Sequence, residues 1–483
     1  MEIPKEVKFI IDKLKRAGFE GYVVGGCVRD FLRGKEPEDW DIATNAKPME
    51  IGKIFLRSFS DNKFGTVTVL TGSENPKLKE IEITPYRIDE KYSDKRHPDK
   101  IKWAKNIEED LARRDFTVNA VALEAETLKI IDPFSGQKDL KRKILKAVGN
   151  PKDRFKEDAL RLMRAVRFAT TLGFKIEKNT EKAIKENSPG LRMISKERIR
   201  DEFLKIIMSE KADEGIELLR RTLLLRYIVP ELEEGYGVSQ NKHHIYECYQ
   251  HSILSLRYAA KKDFNKHVRV AALFHDIAKP RVKQGKGLNA TFYNHEIVGA
   301  RMTIQILSRL KFPKKDIEKI TKLVRYHLFY YNVNEVSDAS VRRLVRKMGP
   351  ENMEELLQVR MADRIGSGVP KAEPYKLRHL KYTIEKVSQD PISVKMIKVN
   401  GEDVMKILDI KPGPKVGQVL DILLGSVLEN PDNNERIFLE KETRKLGKLS
   451  EKKLEMISQK AIKQREMIET KRDAMTKKKY WVT

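Results

Sequence analysis

Two aspartates stand one residue apart in EDWDIAT, Asp39 and Asp41, a short way after the glycine pair Gly25 and Gly26 of GYVVGGCVRD. Residues i and i+2 of a strand project to one face, so the two carboxylates can share a hard cation such as Mg²⁺. Gly25 and Gly26 let the backbone approach a ligand closely and turn amide hydrogens towards phosphate oxygens, and Arg29 follows near the start of a helix. The pattern predicts a divalent-metal site beside a phosphate cradle. Each half also has an ordinary use, since Gly-Gly marks many turns and paired aspartates often cap helices or lie on exposed loops.

Further along, RRDFTVNA brings Arg113, Arg114, Asp115 and Asn119 together, and KEDALRLMR contains Asp158, Arg161 and Arg164. Asp158 and Arg161 are three apart and, on one helix, would share a face. Cytosine and adenine both present an exocyclic amine beside an unprotonated ring nitrogen, which an Asp acceptor and an Arg donor complement together. Guanine and uracil present the reverse, so one such pair could admit CTP and ATP and leave its own groups unpaired against GTP and UTP. The competing readings are local: Asp115 as a helix cap, and Glu157 with Arg161 as an i, i+4 ion pair. Seven of the nine histidines fall between residues 243 and 327, an island that suggests its own domain.

GGCVRD, DWDIAT, EEDLARRDFTVNA and EDALRLMRAVRFATTLGF, in this order and spacing, resemble the class II tRNA nucleotidyltransferase and bacterial poly(A) polymerase family over about residues 20 to 440. The resemblance implies a nucleotidyltransferase head of the DNA polymerase β type. Asp39 and Asp41 would be its catalytic, metal-binding aspartates, and Glu82 in IEITPYR the third carboxylate. Two Mg²⁺ held there would lower the pKa of an RNA 3′-hydroxyl and steady the leaving pyrophosphate. Gly25, Gly26 and Arg29 would hold the nucleotide's phosphates. Arg114, Asp115 and Asn119 would recognise the ribose, Asp158 and Arg161 the incoming base, and Arg164 would also bind the nucleotide. The polar loop IDEKYSDKRHPDKIKWAKN, with Tyr92, Arg96, His97 and Pro98, accompanies the switch from C to A addition in this family. NKFGTVTVLTG lacks the basic segment usual in poly(A) polymerases, which tilts the expectation towards tRNA.

His251, His275, Asp276, His295, His327 and Asp363 resemble the ligand set of the HD phosphohydrolase superfamily, with LFHDIAKP as its central signature. Imidazole and carboxylate together favour Mn²⁺, Ni²⁺, Co²⁺ or Fe²⁺. By resemblance that site would trim 2′,3′-cyclic or terminal phosphates from RNA ends, or else survive as a vestige in a tRNA-holding body. His97, His243, His244, His267 and His379 fall outside the set.

The elements that must position these groups read as an α+β head followed by an all-α body. An amphipathic helix in MEIPKEVKFIIDKLKRAGFE leads into strands at GYVV, DIAT, FGTVTVL and LKEIEIT and a hairpin in VNAVALEAETLKIID, and from residue 152 the apolar period is helical. The expected divisions are a nucleotidyltransferase head at 1–145, a helical neck at 146–235, an HD domain at 236–375, a C-terminal helical body at 376–440 and a basic tail at 441–483, with weak helical periodicity from Leu446 to Ile457. The net charge of +26 points to a polyanion, and the resemblance makes it tRNA, gripped at the 3′ end, acceptor stem and T-arm. A Lys-rich surface balanced by many Glu residues also fits a thermophile. The tail carries fourteen Lys or Arg against six Asp or Glu and is expected to add non-specific RNA affinity or to be a solvated helix. Two distant cysteines, Cys27 and Cys248, suit a reducing cytoplasm and exclude a disulfide or zinc-knuckle framework; no membrane segment and no protein partner are implied. The activity expected is CCA addition to tRNA from CTP and ATP. Its rivals are an A-adding enzyme working beside a CC-adding one, a poly(A) polymerase and, from another class, an RNA-binding metal-dependent phosphohydrolase.

Overall fold

A computed structural model describes residues 2–60, 65–90, 100–241, 245–388 and 393–482. The chain forms two compact units, one of residues 1–328 with 354–372 and one of residues 329–353 with 373–483. The sequence divisions at 145 and 235 therefore lie inside a single unit. The segment 329–353 clusters with residues 373–483 in the second unit.

The first unit opens with the helix Lys5–Arg16, whose Val7, Ile10, Ile11 and Leu14 are buried. Strands follow at Tyr22–Val24 (β1), Asp41–Thr44 (β2), Ser58–Ser60 (β3), Val67–Leu70 (β4), Glu80–Pro85 (β5), Arg87–Glu90 (β6), Lys100–Trp103 (β7), Ala122–Leu123 (β8) and Ile130–Ile131 (β9). Seven of them make one sheet in the order β3-β4-β5-β2-β1-β8-β9, while β6 and β7 pair separately. Only β2 and β5 run parallel within that sheet; its other pairs are antiparallel. Alternation sets the two faces. Val23, Ile42, Ile81 and Ile83 join the helix Lys5–Arg16 in one core, and Val24, Ala43, Tyr86 and Ala122 join Ile107 and Leu111 in another.

Beyond the head the unit is helical. The helices Cys248–Lys261, Lys266–Phe274, His295–Arg309, Lys314–Tyr326 and Met353–Gly366 carry the histidine island and Asp363. The first and last of these meet at Gly366, where a Cβ would collide with Ser255 Oγ and lie 2.8 Å from the carbonyl oxygen of His251.

The second unit is all helical. Val404, Val419, Leu423, Leu424, Leu439 and Leu454 form its core. The segment read as a basic tail is built in: Glu451–Tyr480 is a 30-residue helix packed on Pro414–Glu429 and Tyr375–Ser388, with Leu454, Ser458, Ala461 and Thr476 buried. Its inner face uses small and polar residues, which is why the apolar period looked weak and seemed to stop at Ile457. No helix of the described residues is long and apolar enough to cross a membrane.

Replacing Gly366 with alanine is expected to cost about 1–3 kcal/mol, since Ser255 sits on a buried helix that cannot move freely. Denaturant unfolding of the variant measures this directly, and an unchanged midpoint would show that the two helices part without penalty.

Candidate active site

The parallel register sets Asp41 of β2 beside Glu82 of β5, on the face opposite Ile42 and Ile83. Asp39 precedes the strand rather than belonging to it, which corrects the expectation of two aspartates on one strand. Buried Trp40 anchors the chain between them, so Asp39 still points the same way. Burial, with the charges of Asp39 and then Glu82, pushes the Asp41 carboxyl up to about 7 against the opposing pull of Arg114. Three carboxylates crowded together with too little positive charge are a donor set for a hard divalent cation. Gly25 stands over the group at a φ of 85°, and a Cβ there would come within 3.0 Å of Arg114 Nη1 and 3.4 Å of Asp41 Oδ2.

Gly25, Gly26, Asp39 and Asp41 line one end of a cleft of about 530 Å³ whose remaining walls are mostly arginine: Arg29, Arg113, Arg114, Arg161, Arg164, Arg167 and Arg198. Fixed partners hold most of the guanidinium groups in place. Buried Asp110 accepts from Arg113 Nε at 2.9 Å and from Arg114 Nη2 at 3.1 Å. Asp115 is a buried junction, not a simple cap. Its Oδ2 is 2.7 Å from Arg164 Nη2, and its Oδ1 accepts from Asn119 Nδ2 at 3.1 Å. Arg29 Nη1 in turn donates to Asn119 Oδ1 at 2.8 Å. Burial opposes the charge on Asp115, but Arg164, Asn119 and Arg161 outweigh it and hold the carboxyl down at about 2. Phe168 forms the floor, with Arg167, Arg164 and Arg29 at 3.7, 5.1 and 5.3 Å from its ring centre. Glu202 anchors Arg167 at 2.6 Å.

Asp158 and Arg161 both line the cleft, but they do not share a helix face as the spacing suggested. One helix ends at Glu157 and the next begins at Leu160, with Asp158 extended between them at φ −133° and ψ 107°. Asp158 Oδ1 accepts from the Leu160 amide at 2.9 Å, and Oδ2 from Arg198 Nη2 at 3.2 Å. Arg161 donates to Glu157, to the Arg154 carbonyl at 3.1 Å and to the Arg113 carbonyl at 3.0 Å. The Glu157–Arg161 ion pair thus forms, and it fixes the guanidinium across the break between the two helices. The cleft residues Arg167, Phe168 and Arg198, and the buried Asp110 that holds two of its arginines, were missed by sequence reasoning. Asp110 alone left a signal, standing three and four residues before Arg113 and Arg114 in EEDLARRDF. Tyr92, Arg96, His97 and Pro98 of the polar loop, with His243 and His244, lie outside the described residues.

A second cluster lies in the helical part of the same unit. His251, His275 and Asp276 offer ligand atoms within 4.8 Å of one another, as do Asp276, His295 and His327, so Asp276 belongs to both groups. His251 Nε2 lies 3.1 Å from Asp276 Oδ2 and 3.4 Å from Asp363 Oδ1, and His295 Nε2 lies 3.3 Å from Asp276 Oδ1. The backbone aims the rings. Nδ1 of His275, His295 and His327 faces the carbonyl oxygens of Ala272, Phe292 and Val324 at 2.8, 2.8 and 2.7 Å. A carbonyl only accepts, so Nδ1 carries a proton in each of these rings, and each Nε2, once deprotonated, would turn its lone pair inwards. Burial disfavours charge on His275, but Asp276 and Asp363 prevail and raise it to about 10, whereas burial and the neighbouring His275 push His327 down to about 3. The imidazole and carboxylate donors fit a transition metal. Lys279 was missed from sequence; its Nζ bridges Asp276 Oδ2 and Gln240 Oε1, both at 2.6 Å.

Three family models match in succession: a "Poly A polymerase head domain" at residues 21–146, a "Probable RNA and SrmB- binding site of polymerase A" at 173–235 and an "HD domain" at 243–367. A CCA-adding enzyme of Ligilactobacillus salivarius is 33% identical over 456 residues, covering 91% of this chain and 96% of its own. An A-adding tRNA nucleotidyltransferase of Deinococcus radiodurans is 33% identical over 414 residues, covering 83% and 90%. Among solved structures, the CCA-adding enzyme of Bacillus stearothermophilus in complex with CTP superposes with a TM-score of 0.60 at 27% identity, covering 92% of this chain and 98% of that one. Carboxylates, arginine cleft and histidine cluster accompany a likeness that runs the length of both curated relatives, and the chain belongs to the class II tRNA nucleotidyltransferase family that includes the CCA-adding enzymes, in the form that carries an HD domain.

Proposed function

We propose that the protein adds C, C and A to the 3′ end of tRNA from CTP and ATP, without a template, at the cleft floored by Phe168. The observation that carries this reading is the meeting of Asp39, Asp41 and Glu82 with Asp158 and Arg161 in and beside one arginine-lined cleft. The carboxylates suit Mg²⁺, which when bound would acidify the RNA 3′-hydroxyl and neutralise charge on the triphosphate. Arg29, Arg114 and Arg164 would receive the phosphates and ribose, with Asp115 and Asn119 holding their orientation. Asp158 would accept a hydrogen bond from the exocyclic amine of cytosine or adenine. Arg161, its plane set by Glu157 and two carbonyls, would donate to the ring nitrogen. Guanine and uracil would instead set a carbonyl oxygen against the Asp158 carboxylate and a ring N–H against the Arg161 guanidinium.

The division of labour follows the chain. Residues 1–145 would transfer the nucleotide, 146–235 read the base, and 376–440 hold the acceptor stem and T-arm. Free, buried Cys27 and Cys248 suit the cytoplasm. Residues 236–375 would form a phosphohydrolase, with Mn²⁺, Ni²⁺, Co²⁺ or Fe²⁺ at the His251, His275, Asp276, His295, His327 and Asp363 cluster. An A-adding activity is the second reading, favoured by the Deinococcus radiodurans relative with that printed activity.

Transcripts ending before CCA, after C and after CC, incubated with Mg²⁺, CTP and ATP, separate these readings at single-nucleotide resolution. Three additions to the shortest transcript are expected; a single A on the CC-ended transcript alone means the A-adding reading, and no extension refutes both. Asp41→Asn should lower incorporation by roughly three orders of magnitude while tRNA still binds. Asp158→Ala should lower the preference for CTP over UTP by roughly a hundredfold or more in competition assays. Metal-loaded protein should open 2′,3′-cyclic phosphates to phosphomonoesters or release phosphate from 3′-phosphorylated RNA ends, and lose that activity in Asp276→Ala; its absence from the wild type would leave the HD cluster without this role.

A further inference from the structure

The helix Glu451–Tyr480 has two faces of opposite electrical design. On the inner face cations meet carboxylates: Arg465 Nη1 lies 3.3 Å from Asp421, Lys477 Nζ 3.1 Å from Asp473 and Lys479 Nζ 2.6 Å from Glu385. On the outer face Lys453, Lys460, Lys463, Lys471 and Lys478 recur at intervals of seven, three, eight and seven residues, with Trp481 capping the helix three residues beyond Lys478 at φ 54°. At 3.6 residues per turn they form one stripe, on the side opposite Leu454, Ser458 and Ala461. All six are exposed, Trp481 at 81%. Among the described residues none of these five lysines has a carboxylate within ion-pair distance, and no acidic residue falls on the stripe. Like charges at such spacing repel one another and weaken the helix.

We propose that this stripe is a docking surface for the phosphodiester backbone of RNA, with Trp481 stacking on a base. Its lysines span about 37 Å, on the order of one turn of a nucleic-acid duplex. Lysines in a row supply the sequence-independent part of such binding, and an exposed aromatic at the end of a cationic track is a base platform. A membrane surface would need a broad apolar face turned outwards, whereas here the exposed Met456, Met467 and Met475 stand singly, eight or more residues apart, among lysines. The inference deepens the reading of the protein as an RNA-handling enzyme and rests on it, but it concerns binding rather than nucleotide transfer.

The test compares the full chain with the quadruple variant Lys460→Gln, Lys463→Gln, Lys471→Gln, Lys478→Gln and with the corresponding Lys→Arg variant, using labelled tRNA without nucleotides over a range of salt. The Gln variant should bind tRNA at least tenfold more weakly, and its slope of log Kd against log salt should shrink by about 3, while the Arg variant binds as the wild type does. Trp481→Ala should cost a further few-fold. The kcat at saturating tRNA, the KM for CTP and the thermal midpoint should not move. Equal affinity and slope in the Gln variant would overturn the proposal, as would loss in that variant of binding to phosphatidylglycerol vesicles with tRNA affinity intact. Wild-type protein that binds tRNA through the stripe but extends none would sink the transfer reading alone.

Discussion

Crowding of negative charge on one face of the interior strands β2 and β5 is the constraint on which the head depends. Asp41 cannot move away from Glu82, because the β2 to β5 register is locked by Ile42 and Ile83 on the core side. A slip of one residue would bury both carboxylates in that core. Asp39 adds a third charge nearby, and within this group the answering cation in the protein is Arg114, which Asp110 already holds. The sheet therefore keeps open a place for positive charge that its own side chains do not fill.

The opposite imbalance fills the rest of the cleft. Guanidinium groups outnumber the carboxylates along its walls, yet most are held by fixed acceptors: the buried Asp110, Asp115 and Glu202 and the half-buried Glu157. Each acceptor pins an arginine without covering its whole fork, so donors remain directed at a ligand at little further cost in side-chain entropy. A substrate carrying phosphates and a metal complements both halves, supplying anions to the arginines and a cation to the carboxylates. This two-sided fit favours a nucleotide over either a free metal or a free phosphate.

Much of this was legible in the sequence, and the failures have physical reasons. The head's strands and the Asp39–Asp41 pair follow from short patterns in which chemistry and spacing coincide, whereas Glu82 and the histidine cluster were legible only through the family resemblance. The geometry of Asp158 and Arg161 did not, because nothing in KEDALRLMR marks a helix break. Asp158 makes the break itself: its side chain accepts the Leu160 amide, an alternative to the helical hydrogen bond that aspartate offers readily. Arg198 and Gln240 were invisible because their partners stand 40 and 39 residues away along the chain. The C-terminal helix was underestimated for the reverse reason. Its inner face packs through Ser458, Ala461 and Thr476, which allow close approach to Gly425 and its neighbours but give no apolar period.

The two clusters of ligating groups also differ in how they would exchange an ion. The carboxylate group opens into the cleft and includes exposed Asp39, oxygen donors that suit a cation arriving and leaving with its nucleotide. In the other cluster every ligating side chain is buried, three rings are fixed by backbone carbonyls and Lys279 covers Asp276. Imidazoles preset in this way lose little entropy on binding, and burial slows any exit, so the helical region is built to retain its ion. One chain thus combines a site designed for turnover with a site designed for residence, and the difference is set by burial more than by the identity of the ligands.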